Sequence, residues 1–494
     1  MIFRAGWALL ALCFAASRLF DLEKLPLFLD EALHIVWSAR AFEPSRLIRH
    51  VNDGKLLQVY LFSALLPWTS EPVWLARACS GIAGFFGMVG AQLIGRRLYG
   101  PRVGWLAALA YLVSPYALFH DRMALADVYV STLSGLSLLA SLRLAERPGA
   151  GRAIVVALAL AATTLAKMTG VLSAAIPVLT LLLLGTSGAR RWLPLVGGLF
   201  ASIVGLPLFY FAKRARVYGH LADAVGEHGA AAAPELASDF GVRFLGELVW
   251  LQEYWTWPLL LAAGAGLSLA VARRDRKGIL LGMLAIVPLA AFPFVSGHIF
   301  PRYLVASIIP TAILVGSFGD ALWRRFGGRL AVAALLALAA PALRFDALLL
   351  RDPLRAPLPE IERGQYLMGW QSGYGVVDAA QYLRGELARN REGMRLVLHT
   401  NSERAINLIL RAYLMNQPAL EITDRDLADP RELQELRQGL GLRPTFVALG
   451  VADPGAEKTL DPSGAFDSSE RLHEWTRPTG ERVVTLYRLA APPP

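Results

Sequence analysis

The stretch Pro26-Leu27-Phe28-Leu29-Asp30-Glu31-Ala32-Leu33-His34 sets two adjacent carboxylates shortly after an apolar run at residues 4–20. That run has the length of a membrane helix. Carboxylates beside a bilayer are costly unless water, a cation or a reaction engages them. Asp30 and Glu31 therefore have two readings: caps of the amphipathic helix that follows, or groups that do chemistry. Ala15-Ala16-Ser17 resembles a signal-peptidase site, but the Arg18-Leu19-Phe20-Asp21 that follows favours an uncleaved first helix.

The rest of the chain is largely membrane. Its 494 residues are 55% hydrophobic and 18% charged, with mean hydropathy +0.44. This excludes an ordinary soluble enzyme and leaves a polytopic membrane protein. The net charge of +10 is scattered in short clusters between apolar runs, which suits membrane topology and phosphate contacts, and no nucleic-acid partner is expected. Cys13 and Cys79 both lie in apolar segments, so neither a disulfide framework nor a cysteine metal site is expected.

Eleven spans are predicted, near 4–20, 75–95, 103–119, 124–142, 153–166, 170–186, 192–211, 249–271, 279–297, 303–320 and 330–349. Arg96-Arg97 with Arg102, then Arg143/Arg147/Arg152, Arg190-Arg191, Arg273-Arg274-Arg276-Lys277 and Arg324-Arg325-Arg329 fall in alternate short loops, which puts those loops in the cytoplasm. The N-terminus is then inside, and residues 21–74, 120–122, 213–248, 298–302 and the chain after about 350 lie outside. Leu56–Trp68 is too short to cross and reads as a juxtamembrane helix, as does the amphipathic segment that carries His34, Trp37 and Ser38. Trp250, Tyr254, Trp255 and Trp257 read as an interfacial aromatic belt.

Beyond Arg351-Asp352-Pro353 the composition changes. Strand-like runs at 395–400, 419–423, 445–450 and 483–488 alternate with helical patterns at 376–389, 402–414 and 430–440. This predicts a small external α/β domain over 351–494, after a membrane domain over 1–350. Gly369-Trp370-Gln371-Ser372-Gly373-Tyr374-Gly375 lacks the spacing of a dinucleotide loop and reads as a turn or an acceptor-facing loop.

The polar residues at the outer helix ends form one set: Asp30-Glu31, Asn52-Asp53-Gly54-Lys55, His120-Asp121-Arg122 with Asp127, Lys167, and His298 with Arg302. Interfacial cations can hold the phosphate of a lipid carrier, and a nearby carboxylate can deprotonate an acceptor hydroxyl that attacks a sugar C1. The leaving group is already a phosphate, so fixed cations suffice and neither a general acid nor a metal is required. Each residue also has a structural reading: Lys55 as a snorkelling lysine, Arg122 and Arg302 as headgroup anchors, Asp127 as the ion-pair partner of Arg122. His34, His120 and His298 have no ligand spacing, so no metal site is expected.

Leu29-Asp30-Glu31-Ala32, Asp53-Gly54-Lys55-Leu56-Leu57-Gln58-Val59-Tyr60, the Asp127 hairpin, the Lys167 turn and Pro301-Arg302-Tyr303-Leu304 resemble, in this order, bacterial GT-C glycosyltransferases. The nearest group comprises protein O-mannosyltransferases, the aminoarabinose transferase acting on lipid A, and RgtA/B/C/D-like lipopolysaccharide sugar transferases. The resemblance covers about residues 1–350. It implies a GT-C-like α-helical polytopic fold, a polyprenyl-phosphate sugar donor with no further cofactor, and an active site facing away from the cytoplasm. It also implies Asp30 as the base-like carboxylate, Lys55 near the donor phosphate, and Asp127 as a second acidic position. The family often has Lys-Pro-Pro-Leu where this chain has Lys55-Leu56-Leu57-Gln58.

The sequence thus predicts an inverting, metal-independent hexosyl- or pentosyltransferase of a bacterial cytoplasmic membrane, acting on a glycan, lipid or protein acceptor. Asp30 is its expected catalytic base. Glu31, Lys55, Arg122, Asp127, Lys167, His298 and Arg302 are its expected substrate-binding residues. A transporter or flippase of lipid-linked sugars is the first alternative, and a polymerase or ligase the second. Charge confined to one membrane face disfavours the transporter.

Overall fold

The computed structural model describes residues 2–43, 54–217, 240–295, 299–390, 392–400, 402–427, 429–438, 440, 443–450 and 469–489. His298, Asn52, Asp53 and most of the 213–248 loop fall outside them. The chain divides into two compact units. The first contains 1–22, 41–61 and 77–359; the second contains 23–40, 62–76 and 360–494. The stretch around Asp30 therefore belongs with the C-terminal residues and not with the membrane helices.

The first unit is helical throughout. Its elements are α1 (Ile2–Arg18), the start of α3 (Leu56–Leu65), most of α4 (Pro72–Tyr99), α5 (Pro101–Leu112), α6 (Pro115–Asp121), α7 (Asp127–Glu146), α8 (Ala150–Ala166), α9 (Ala175–Leu183), α10 (Leu193–Val217), α11 (Phe240–Ala272), α12 (Arg276–Val295), α13 (Ile308–Phe326) and α14 (Gly328–Arg351). The second unit contains α2 (Leu29–Ser38) and the C-terminal fold. Among the described residues seven helices are long and apolar enough to cross a membrane, and α5 with α6, bent by 63°, makes an eighth. The other three predicted spans are shorter apolar helices at Ala5–Arg18, Ala150–Ala166 and Met168–Leu183. The protein is a multi-pass membrane protein. The α11 helix begins nine residues before its predicted start, because Arg243 and Glu247 depress the local hydropathy there.

Small residues let the helices of the first unit approach closely. A Cβ added at Gly316 of α13 would lie 2.9 Å from the Ala107 nitrogen and 3.0 Å from the Val103 oxygen of α5. One added at Gly104 would lie 2.7 Å from the Gln92 oxygen of α4. In lipid, where burial of apolar surface gives no net drive between helices, such backbone proximity is a main source of association. Single glycines at positive φ, Gly100 and Gly327, close the α4–α5 and α13–α14 turns.

The second unit ends in a five-stranded sheet of order β2-β1-β3-β5-β4, built from β1 (Met394–His399), β2 (Leu420–Arg425), β3 (Thr445–Gly450), β4 (Ser469–Thr476) and β5 (Arg482–Leu489). The β1 strand is parallel to β2 and β3, whereas β3–β5 and β5–β4 are antiparallel. Helices α15 (Val376–Arg389), α16 (Arg404–Leu414) and α17 (Pro430–Gln438) alternate with the first strands. Val397, Val447, Leu449 and Tyr487 of the sheet form one core with Leu427 and Leu436. Four of the strands match predicted runs. The fifth, β4, is an edge strand of mostly exposed, charged residues whose alternation leaves little apolar signal.

Gly316→Leu is expected to lower the unfolding temperature of the detergent-purified protein, because a branched side chain must separate α5 from α13. Differential scanning fluorimetry measures it, with the exposed Gly198→Leu as the neutral comparison.

Candidate active site

In the first unit, the polar groups gather where three helical segments begin or end. Asp127 is the first residue of α7 and is buried. Lys167 stands in extended conformation between the end of α8 and a 3₁₀ turn over Met168–Ala174. Its ammonium lies 2.6 Å from an Asp127 carboxylate oxygen and 4.2 Å from the centre of the Tyr303 ring. Arg302 and Tyr303 belong to the 3₁₀ turn Pro301–Ser307 that leads into α13. The buried Arg302 guanidinium stacks 4.4 Å from the Phe300 ring centre and 5.8 Å from that of Tyr303. Arg302, Lys167 and His120 all lie within electrostatic reach of Asp127.

Backbone contacts fix this arrangement. The Tyr116 hydroxyl donates to the Pro301 carbonyl, and the Ser131 hydroxyl to that of Val305 at 2.9 Å. The Met168 amide donates to the Gly54 carbonyl at 2.9 Å, which sets the backbone of Lys55 beside that of Lys167. Gln58, one turn further along α3, donates from its amide to the Ala124 carbonyl at 2.7 Å. Gly170 is required by close approach, since its Cβ would strike the Thr163 carbonyl.

His120, which the sequence placed in the outer polar set but not among the expected substrate-binding residues, also lies beside this cluster. It is 2% exposed and packs against the rings of Tyr116, Phe119 and Tyr254. Neither ring nitrogen has a hydrogen-bond partner among the described residues. Tyr254 and Trp255, read from sequence as interfacial, are fully buried, and Tyr254 stacks on Tyr116 at 4.7 Å. Their aromatic character could not distinguish a membrane belt from interior packing beside this cluster.

Arg122 does different work from that expected. Its guanidinium donates to the carbonyls of Ser17 and Phe20, both at 2.9 Å, and of Asp21 at 2.6 Å, which caps the end of α1. Burial, then the neighbouring Arg77 and Arg18, lower its pKa to about 10. Arg77 adds a bond to the Leu22 carbonyl at 2.7 Å. Asp121 accepts from Tyr111 at 3.1 Å and lies 3.6 Å from Arg18. Asp127 is paired with Lys167 and not with Arg122.

In the second unit, Asp30 and Glu31 open α2. Glu31 is fully buried and accepts from the Phe28 amide at 3.1 Å, a capping contact at the third helical position. Asp30 is half-buried in the same first turn, where the helix dipole favours a carboxylate. The C-terminal chain holds this stretch in place. The Leu27 amide donates to the Tyr413 hydroxyl at 3.3 Å, and the Leu29 amide to the Gln371 carbonyl at 3.0 Å. Phe28 packs on Tyr366, with ring centres 4.3 Å apart. Gly373 lies so close that a Cβ would strike the Leu27 carbonyl. The glycine-rich loop thus buttresses the acidic pair. His298 lies outside the described residues.

No protein-family model and no curated protein sequence matches this chain. Solved structures do. The chain is similar to ArnT from Cupriavidus metallidurans bound to undecaprenyl phosphate, with 17% identity and a TM-score of 0.62 over 98% of this chain and 97% of that one. It is similar to the apo state of the same protein, with 15% identity and a TM-score of 0.60 over 98% of each chain. It is also similar to the Archaeoglobus fulgidus oligosaccharyltransferase, with 12% identity and a TM-score of 0.53 over 97% of this chain and 72% of that one. The fold is GT-C.

Two outcomes follow from the packing. Lys167→Met strands the buried Asp127 charge and is expected to destabilise the protein by about 3–5 kcal/mol; Asp127→Asn/Lys167→Met should recover most of that loss in denaturant titrations, and equal losses in both would refute the pairing. Gly373→Val should raise hydrogen exchange at Leu27–Glu31 while leaving the β1 and β3 amides protected, as read by mass spectrometry.

Proposed function

We propose that this protein is a membrane glycosyltransferase that moves a sugar from a polyprenyl-phosphate donor to an envelope acceptor outside the cytoplasmic membrane. The observation that carries this reading is the buried cluster itself. Lys167 and Arg302 both lie within electrostatic reach of the buried Asp127 carboxylate, and cations gathered in a low-dielectric site suit a phosphate. Asp127, Lys167 and Arg302 stand at helix ends opposite those that carry Arg143, Arg152 and Arg324-Arg325. The positive-inside rule then supports an extracytoplasmic face for the cluster, in keeping with the bacterial inner membrane proposed for the protein. The similar ArnT structure, bound to undecaprenyl phosphate, supports a polyprenyl phosphate as the carrier.

In this mechanism the acceptor hydroxyl attacks the sugar C1. The C1–O bond to phosphate breaks, its electron pair leaves on the polyprenyl phosphate, and the hydroxyl proton passes to Asp30. A single displacement inverts the configuration at C1. Lys55, Lys167 and Arg302 neutralise the departing phosphate, a task that fixed cations perform without a metal. Asp127 orients Lys167, Glu31 orients Asp30 by capping its helix, and Arg122 acts through the position of α1. His298 keeps its assignment as a substrate contact.

Asp30→Asn should reduce release of polyprenyl phosphate from a radiolabelled polyprenyl-phosphate sugar by about 10²–10⁴-fold, with donor binding in native mass spectrometry retained. Wild-type turnover by that variant would overturn the assignment. Passage of the labelled lipid across proteoliposomes without release of polyprenyl phosphate would favour a flippase.

A further inference from the structure

The α11 helix contains a break that its proline does not account for. Thr256 adopts φ 59° and ψ 148° inside a segment that is otherwise helical from Phe240 to Ala272. A β-branched residue at positive φ is a strained conformation, retained only where the surroundings impose it, and such outliers gather at ligand sites. Pro258 two residues later removes an amide from the ladder, yet a proline kink needs no left-handed residue before it. The break separates the buried pair Tyr254-Trp255 from Trp257, which is 59% exposed.

A cavity of about 900 Å³ opens at this break, within the first unit, between α11, α14 and the segment that follows α14. Gln252, Glu253, Thr256, Trp257, Arg344 and Arg355 line it. The Thr256 hydroxyl is buried without a hydrogen-bond partner among the described residues. Thr256 lies sixteen residues before Ala272, and Arg344 sixteen after Gly328. At 1.5 Å per residue both stand about 24 Å from the ends that carry the arginine loops, near the far edge of a hydrocarbon core about 30 Å thick. Phe345 forms the back of the cavity and stacks on Tyr254 at 6.3 Å, and Tyr254 meets His120 at 5.6 Å. The cavity and the ionic cluster thus share an aromatic wall.

The lining has the chemistry of a sugar site. An exposed indole offers a flat face to the C–H side of a pyranose, while Gln252, Glu253 and Arg344, with Arg355 ion-paired to Asp352 at 3.1 Å, bring planar donors and acceptors to the same cavity. A phospholipid headgroup would not call for Glu253 and Gln252 beside the arginines, and a peptide strand would call for a free sheet edge, whereas none of the lining residues lies on a strand. We propose that this cavity is a saccharide subsite, so that the acceptor is a glycan or the glycan head of a lipid. The proposal rests on the glycosyltransferase reading for its role in turnover, although binding can be tested separately.

The test uses the full chain in nanodiscs and, as probe, oligosaccharides released by mild acid from envelope glycolipids of the source cells. Saturation-transfer NMR should show sugar-ring signals with the wild type, at least fivefold weaker with Trp257→Ala, restored to half or more by Trp257→Phe, and weakened with Arg344→Met. Polyprenyl-phosphate binding should be unchanged in all three. In turnover assays Trp257→Ala should raise the acceptor KM about tenfold and leave kcat within twofold. Wild-type oligosaccharide signals in Trp257→Ala overturn the subsite, as does binding of glycerol phosphate in place of oligosaccharide. Trp257-dependent oligosaccharide binding in a protein that never releases polyprenyl phosphate supports the subsite and overturns the glycosyltransferase reading.

Discussion

The ion pair between Asp127 and Lys167, 2.6 Å apart, is the constraint on which the membrane unit's polar cluster depends. Neither charge is tolerable alone at that depth. Together they tie the start of α7 to the break after α8, and the Lys167 ammonium extends the tie to the Tyr303 ring. Tyr303 belongs to the turn that Tyr116 and Ser131 fasten to α6 and α7. Removing one partner would strand a charge and loosen three junctions at once. The pair holds the Lys167 ammonium in the same low-dielectric space as the Arg302 guanidinium, where charges interact more strongly than in water.

Three consecutive residues divide their work because a helix turns about 100° per residue. His120 faces Tyr116, Tyr254 and the ionic cluster. Asp121 faces Arg18 and Tyr111, and Arg122 leaves the helix to cap α1. The junction that sets one side chain beside the ionic cluster therefore also anchors the first membrane helix. Burying Arg122 is tolerable because three backbone carbonyls take its donors.

Hydropathy made the membrane unit legible, since each of the eleven predicted runs corresponds to a helix or a bent pair. Loop charge and helix ends were enough to mark Asp127, Lys167 and Arg302 as one group. Partners were not legible. Asp127 had Arg122 five residues away as its nearest cation in sequence, whereas its actual partner lies forty residues on, across a helical hairpin. Tyr254 and Trp255 have the composition of an interfacial belt, and only their complete burial, with Tyr254 stacked on Tyr116, reveals them as interior. His120 was grouped with the outer polar residues, but a lone histidine beside a turn has no spacing that assigns it a role. The β4 strand escaped for a related reason: an edge strand exposes most of its length, so its charged residues read as loop.

The acidic pair that first drew attention is subject to a longer-range constraint. Leu27, Phe28 and Leu29, the residues that aim Asp30, are held by Tyr413, Tyr366 and Gln371, more than three hundred residues further along the chain. The unit that carries the sheet therefore also carries the proposed base. A carboxylate on a loop hung from the first membrane helix would share that loop's freedom; one clamped by a glycine, two tyrosines and a backbone hydrogen bond does not. Precise placement is what a general base requires, since proton transfer falls away steeply once its oxygen leaves hydrogen-bond reach. On this reasoning the C-terminal residues would serve the proposed transfer through the segment they grip.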